Sequence, residues 1–82
     1  MYKLVFEKRA ADFLSKLDDQ IKERVWRKLQ ECKQDPFRHL EHLTEINGYK
    51  LRVGDYRIII EVDKKIETLF ILKIGHRKNV YD

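Results

Sequence analysis

Residues 48–62 read GYKLRVGDYRIIIEV, and the alternation in this stretch decides the fold. Apolar, β-branched and aromatic residues alternate with charged ones on both sides of Gly54-Asp55. That pattern predicts strands over residues 49–53 and 56–62, joined by a two-residue turn with glycine first. Such a turn fixes the register: Val53 faces Tyr56, Arg52 faces Arg57, Leu51 faces Ile58 and Lys50 faces Ile59. Successive side chains point to opposite faces, so Tyr49, Leu51, Val53, Tyr56, Ile58, Ile60 and Val62 share one side. Lys50, Arg52 and Arg57 share the other. Opposed side chains in an antiparallel pair lie about 5 Å apart, so these three cations fit an area comparable with a phosphodiester. Facing arginines are mildly unfavourable in a sheet, yet the planar guanidinium fork suits phosphate. An anion site is therefore expected there, against the plainer reading of a solvated charged face.

Upstream, Tyr2, Leu4 and Phe6 alternate with Lys3 and Val5, the pattern of a short N-terminal strand. From Lys8 the period changes, and Ala10, Phe13, Leu14 and Leu17 recur at three- and four-residue spacing, as on one helix face. Asp18 or Asp19 can cap a second helix, which carries Ile21, Val25, Leu29 and Cys32 along one stripe and Glu23 four residues before Arg27 on its wet side. That helix should end by Asp35, because Pro36 disfavours helical geometry in the residue before it. The two helices are expected to form an antiparallel hairpin. Residues 36–48, PFRHLEHLTEING, keep no clean period and read as a loop with room for a helical turn, closed by Asn47-Gly48.

Downstream, Asp63-Lys64-Lys65 forms a polar turn and a last strand runs from about residue 66 to 74. Strict alternation puts Thr68, Phe70, Leu72 and Ile74 on one side and Leu69 and Ile71 on the other. Apolar residues on both sides place this strand inside the sheet. Gly75 follows it, then His76-Arg77-Lys78 and Tyr81. The expected class is α+β: an N-terminal strand, a two-helix hairpin, then three strands in a mainly antiparallel sheet covered on one face.

The chain has 82 residues, which predicts one domain over residues 1–82. A domain of that size buries only roughly 60% of its unfolded surface, so a surface groove is expected in place of a deep pocket. Lysine plus arginine number 18 against 14 acidic residues, a net charge of +4 that favours a polyanionic partner. The single cysteine, Cys32, reads as core. The start MYKLVFEKR lacks the apolar run of a signal peptide and no stretch reaches membrane-spanning length, so a cytoplasmic protein without membrane attachment is expected. His39 and His42 lack a third ligand at a recognisable spacing, so no metal is expected. Trp26 and Phe37 fit either core or a partner-facing surface.

GYKLRVGDYRIIIEV together with the ending IGHRKNVYD resembles the RelE/ParE superfamily of toxins from prokaryotic type II toxin-antitoxin pairs, and its RelE branch in particular. The resemblance covers essentially the whole chain and implies the RelE-like fold. It also implies a ribosome-dependent endoribonuclease that cuts mRNA by attack of a ribose 2′-hydroxyl on the adjacent phosphate, without metal or cofactor. The residues it assigns to catalysis are Lys50, Arg52, Arg57, Arg77 and Tyr81, with Lys73 and Lys78 joining Lys50, Arg52, Arg57 and Arg77 in phosphate binding. Arg57 and Arg52 suit charge on the nonbridging oxygens, Arg77 the phosphate or leaving oxygen, and Tyr81 either base stacking or removal of the 2′-hydroxyl proton. The best-known RelE carries lysine where this chain has Arg52, and arginine cannot act as a base. That task then falls to Tyr81, Lys50 or His76, whose imidazole stands where that relative has lysine. Implied partners are a cognate RelB-like antitoxin, the ribosome with its mRNA, and operator DNA through the antitoxin alone. Two other activities fit the same scaffold: a ParE-like, non-enzymatic inhibitor of DNA gyrase, and a domesticated corepressor that binds an antitoxin.

Overall fold

A computed structural model describes residues 1–43 and 48–76. Its elements are β1 (Lys3–Phe6), α1 (Lys8–Ser15), α2 (Asp19–Gln34), α3 (Pro36–His39), β2 (Glu41–His42), β3 (Tyr49–Val53), β4 (Tyr56–Asp63) and β5 (Thr68–His76). The strands form one sheet in the order β1-β5-β4-β3-β2, antiparallel except for the β1–β5 pair. The α+β expectation therefore stands. The stretch read as a loop with room for a helical turn holds that turn, a short helix with Pro36 in its first turn, and adds a two-residue strand too short to leave a periodic trace in the sequence.

Local chemistry accounts for the element ends. The Asp18 side chain accepts a hydrogen bond from the Gln20 N–H at 3.3 Å and so caps α2. Gly54 has φ +58, the left-handed value a primed hairpin turn requires of its first residue. Asp63 Oδ1 accepts from the N–H groups of Lys65 and Ile66 at 3.0 and 3.3 Å and closes the turn into β5.

One face of the sheet lies under the helices. Ala10 from α1 and Val25, Leu29 and Cys32 from α2 pack against Leu51, Val53, Ile58, Ile60, Leu69, Ile71 and Ile74, with Phe13, Leu14, Leu17 and Ile21 at the margins. Each fully buried aliphatic side chain contributes about 2 kcal/mol, so this cluster dominates the stability of the fold.

The β3–β4 register is the one the turn dictated, from Val53 opposite Tyr56 to Lys50 opposite Ile59. The β4–β5 register is not uniform. Ile60 pairs with Ile71 whereas Ile59 pairs with Lys73, which leaves Leu72 as an extra, bulged residue. Arg9 Nε donates to the Leu72 carbonyl oxygen at 3.0 Å, supplying a partner to a group that the bulge takes out of the ladder. The bulge also overturns strict alternation along β5: Ile74 joins Leu69 and Ile71 in the core, while Leu72 packs with Ile59 and Leu43 on the opposite face.

Candidate nucleic-acid interface

Residues paired across strands share a face, so the registers assign the cations directly. One rung runs Arg52, Arg57, Gly75, and the next runs Glu41, Lys50, Ile59, Lys73. All four cations thus belong to the face away from the helices. Lys73 reaches it only because of the bulge; an unbroken alternation from buried Ile71 would aim residue 73 into the core. Arg52 is exposed, and Lys50, Arg57 and Lys73 are half-buried. The floor beneath them is Ile59, 6% exposed, flanked by Leu43 and Leu72.

Two of the four side chains in this patch, Lys50 and Arg57, are held, which matters for charge stabilisation. Lys50 Nζ lies 3.7 Å from a Glu41 carboxylate oxygen, and its side chain is only 14% exposed. The Arg57 Nε is shut off from solvent, so its guanidinium is seated in the sheet surface and its orientation is restricted. Arg57 faces Gly75, which has no side chain to crowd that rung. A phosphate over the two rungs would meet preorganised positive charge above an apolar floor, where such charge acts more strongly than in bulk water.

Of the other expected site residues, only His76 is among the described ones, and it falls elsewhere. His76 pairs with Tyr56, and the two rings meet edge-on with centroids 5.5 Å apart. Tyr56 in turn packs against Phe13 of α1 at 6.4 Å, so His76 belongs to the helix side, opposite Arg57. Arg77, Lys78 and Tyr81 lie outside the described residues, as does Asn47. Cys32 is fully buried in the core as expected, and burial pushes its thiol up to about 11, the form of a packing residue and not a nucleophile. Among the described residues no three His, Cys, Asp or Glu side chains gather as a metal site, and no helix is long and apolar enough to cross a membrane.

A second basic feature has no counterpart in the sequence pattern. Beyond the two rungs that β3 shares with β2, Arg52 with Val53 and Gly54 lines a cleft of about 270 Å³ against Arg24, Arg27, Lys28 and Glu31 of α2. In sequence these α2 residues alternate with glutamates and read as an ordinary solvated helix face; only the fold sets them beside the turn. Trp26 and Phe37 prove to be surface residues, 48% and 42% exposed. Trp26 stacks on Phe6 with centroids 6.2 Å apart, and Phe37 meets Tyr49 edge-on with Lys64 Nζ 4.9 Å from its centre.

Known proteins resemble this chain over most of its length. The family described as ParE toxin of type II toxin-antitoxin system, parDE, matches residues 4–81. Toxin RelE3 of Methanocaldococcus jannaschii is 31% identical over 86 residues, covering 98% of this chain and 96% of its own. Among solved structures, the toxin-antitoxin complex RelBE2 from Mycobacterium tuberculosis superposes with a TM-score of 0.84 at 26% identity, over 93% of this chain and 98% of that one. The isolated E. coli RelE toxin gives 0.82 at 26% identity, over 93% and 84%.

Proposed function

The chain belongs to the RelE/ParE superfamily and is a toxin of the type II toxin-antitoxin class, and from that premise we propose that it is a ribosome-dependent endoribonuclease that cuts mRNA. The observation that carries this reading is the pair of adjoining rungs with Lys50, Arg52, Arg57 and Lys73 on the helix-free face. In the proposed reaction a ribose 2′-oxygen attacks the neighbouring phosphorus, the P–O5′ bond breaks, and the product ends are a cyclic phosphate and a 5′-hydroxyl. Arg57 and Arg52 stabilise the charge gathering on the nonbridging oxygens, and Lys50 and Lys73 hold the backbone. Tyr81 accepts the 2′-hydroxyl proton as general base, and Arg77 stabilises the charge on the leaving O5′, which takes a proton from water to become the 5′-hydroxyl. His76 sits with Tyr56 on the helix side, away from these cations. A RelB-like antitoxin, the partner in the solved M. tuberculosis complex, would neutralise the toxin by covering this face.

The test is cleavage of ribosome-bound mRNA by the wild type and by Arg57→Ala and Tyr81→Phe. Loss of a stabilising donor costs about a hundredfold or more in rate, so both variants should fall by at least that factor while staying folded. Undiminished cutting by either would remove that residue from the mechanism. The family match to ParE toxins favours a second reading, a non-enzymatic gyrase inhibitor. Blocked supercoiling with intact mRNA and continuing translation in expressing cells would establish it in place of the nuclease.

A further inference from the structure

We propose that the cleft between α2 and the β3–β4 turn is a second phosphate subsite, which holds the RNA backbone beside the linkage to be cut. This rests on the nuclease reading and extends it to how the strand is gripped. The cleft is lined by four cations and one carboxylate, Glu31. Arg27 is engaged by Glu23 at 2.6 Å and Lys28 by Glu31 at 3.5 Å. Among the described residues Arg24 and Arg52 have no such carboxylate. Two guanidiniums are thus left to meet an outside anion, and the planar fork favours a phosphate.

The turn is shaped to admit one of them. A Cβ on Gly54 would stand 3.2 Å from Arg24 Nη2, so the absent side chain lets the guanidinium lie against the turn. Arg52 then joins the two regions: it shares a rung with Arg57 and is also among the residues that line the cleft. A single anion can occupy one region or the other, whereas a polymer with a phosphate at every residue fills both. Among the described residues no aromatic side chain lines the cleft, so it reads backbone charge independently of sequence and leaves base stacking to other surfaces.

The experiment measures binding of a single-stranded RNA oligonucleotide, by fluorescence anisotropy across a salt series, together with ribosome-dependent cleavage. It compares wild type, Arg24→Gln/Lys28→Gln, the charge-conserving Arg24→Lys, and Arg57→Ala. The double variant should bind more weakly, with the slope of log affinity against log salt shallower by about 0.7 for each phosphate it no longer neutralises. Cleavage by it should need more substrate yet reach the wild-type rate at saturation. Arg24→Lys should keep the slope. Arg57→Ala should abolish cutting while retaining the cleft's share of the slope. A wild-type slope in the double variant overturns the subsite, even if wild type cuts mRNA. So does a double variant that loses affinity for an acidic antitoxin peptide but not for RNA, since the cleft would then be a protein-binding surface. If wild type cuts no mRNA, the nuclease reading fails first and takes the subsite with it.

Discussion

On the helix side of the sheet, Leu51, Ile58, Ile60, Leu69 and Ile71 are at most 1% exposed; on the other side, the same strands present Arg52, Arg57, Lys50 and Lys73 around a small apolar floor. One face is closed by two helices and the other, among the described residues, by little beyond Leu43. On the proposed reading, the difference separates residues that fold the chain from residues that bind RNA, alternating one residue at a time along a single strand. Substitutions should therefore sort by face, and that expectation can be broken.

The sharpest test is Leu29→Ala in α2, buried fully in the larger cluster. It should lower unfolding free energy by about 3 kcal/mol, read from chemical denaturation, and leave RNA affinity of the folded fraction unchanged. A loss of affinity without a loss of stability would erase the distinction between the faces. Next is Ile59→Ala, at a residue that packs against Leu43 and half-buried Leu72. About 2 kcal/mol is expected, near the lower end for such truncations, because the site is shallow and can relax. This variant should also reduce cutting, since it removes the floor under Lys50 and Lys73; unaltered activity would show that the floor is merely structural. Arg9→Ala deletes the bond to the Leu72 carbonyl and should cost about 1 kcal/mol, with faster amide exchange at Lys73 as the specific sign of a loosened bulge. The smallest effect belongs to Lys8→Ala, which removes an exposed pair with Asp12 at 3.1 Å; below about 0.5 kcal/mol is expected, with no change on either face.

How much the sequence disclosed followed the strength of local rules. The Gly54-Asp55 turn predicted four cross-strand pairs without help from the rest of the chain, all of them observed, and the stripe Ile21, Val25, Leu29, Cys32 located the buried side of α2. The bulge was passed over because Ile71, Leu72 and Ile74 are apolar and fit either face; its one mark in the sequence is Lys73, which strict alternation from Ile71 would send into the core. Strand order was equally hidden, for β1 pairs with the last strand through backbone groups that carry no sequence label. The basic ribbon could be read because its three cations sit on one hairpin. The cleft could not, because Arg24 and Arg52 come from elements that only tertiary packing brings together.

The parallel pairing of Lys3–Phe6 with Thr68–Ile71 has a temporal consequence. During synthesis Lys3–Phe6 emerges early and must wait for its partner in the sheet until Thr68–Ile71 has been made. Closing so long a loop is entropically slow. Nascent chains halted before Thr68 should accordingly remain protease-sensitive.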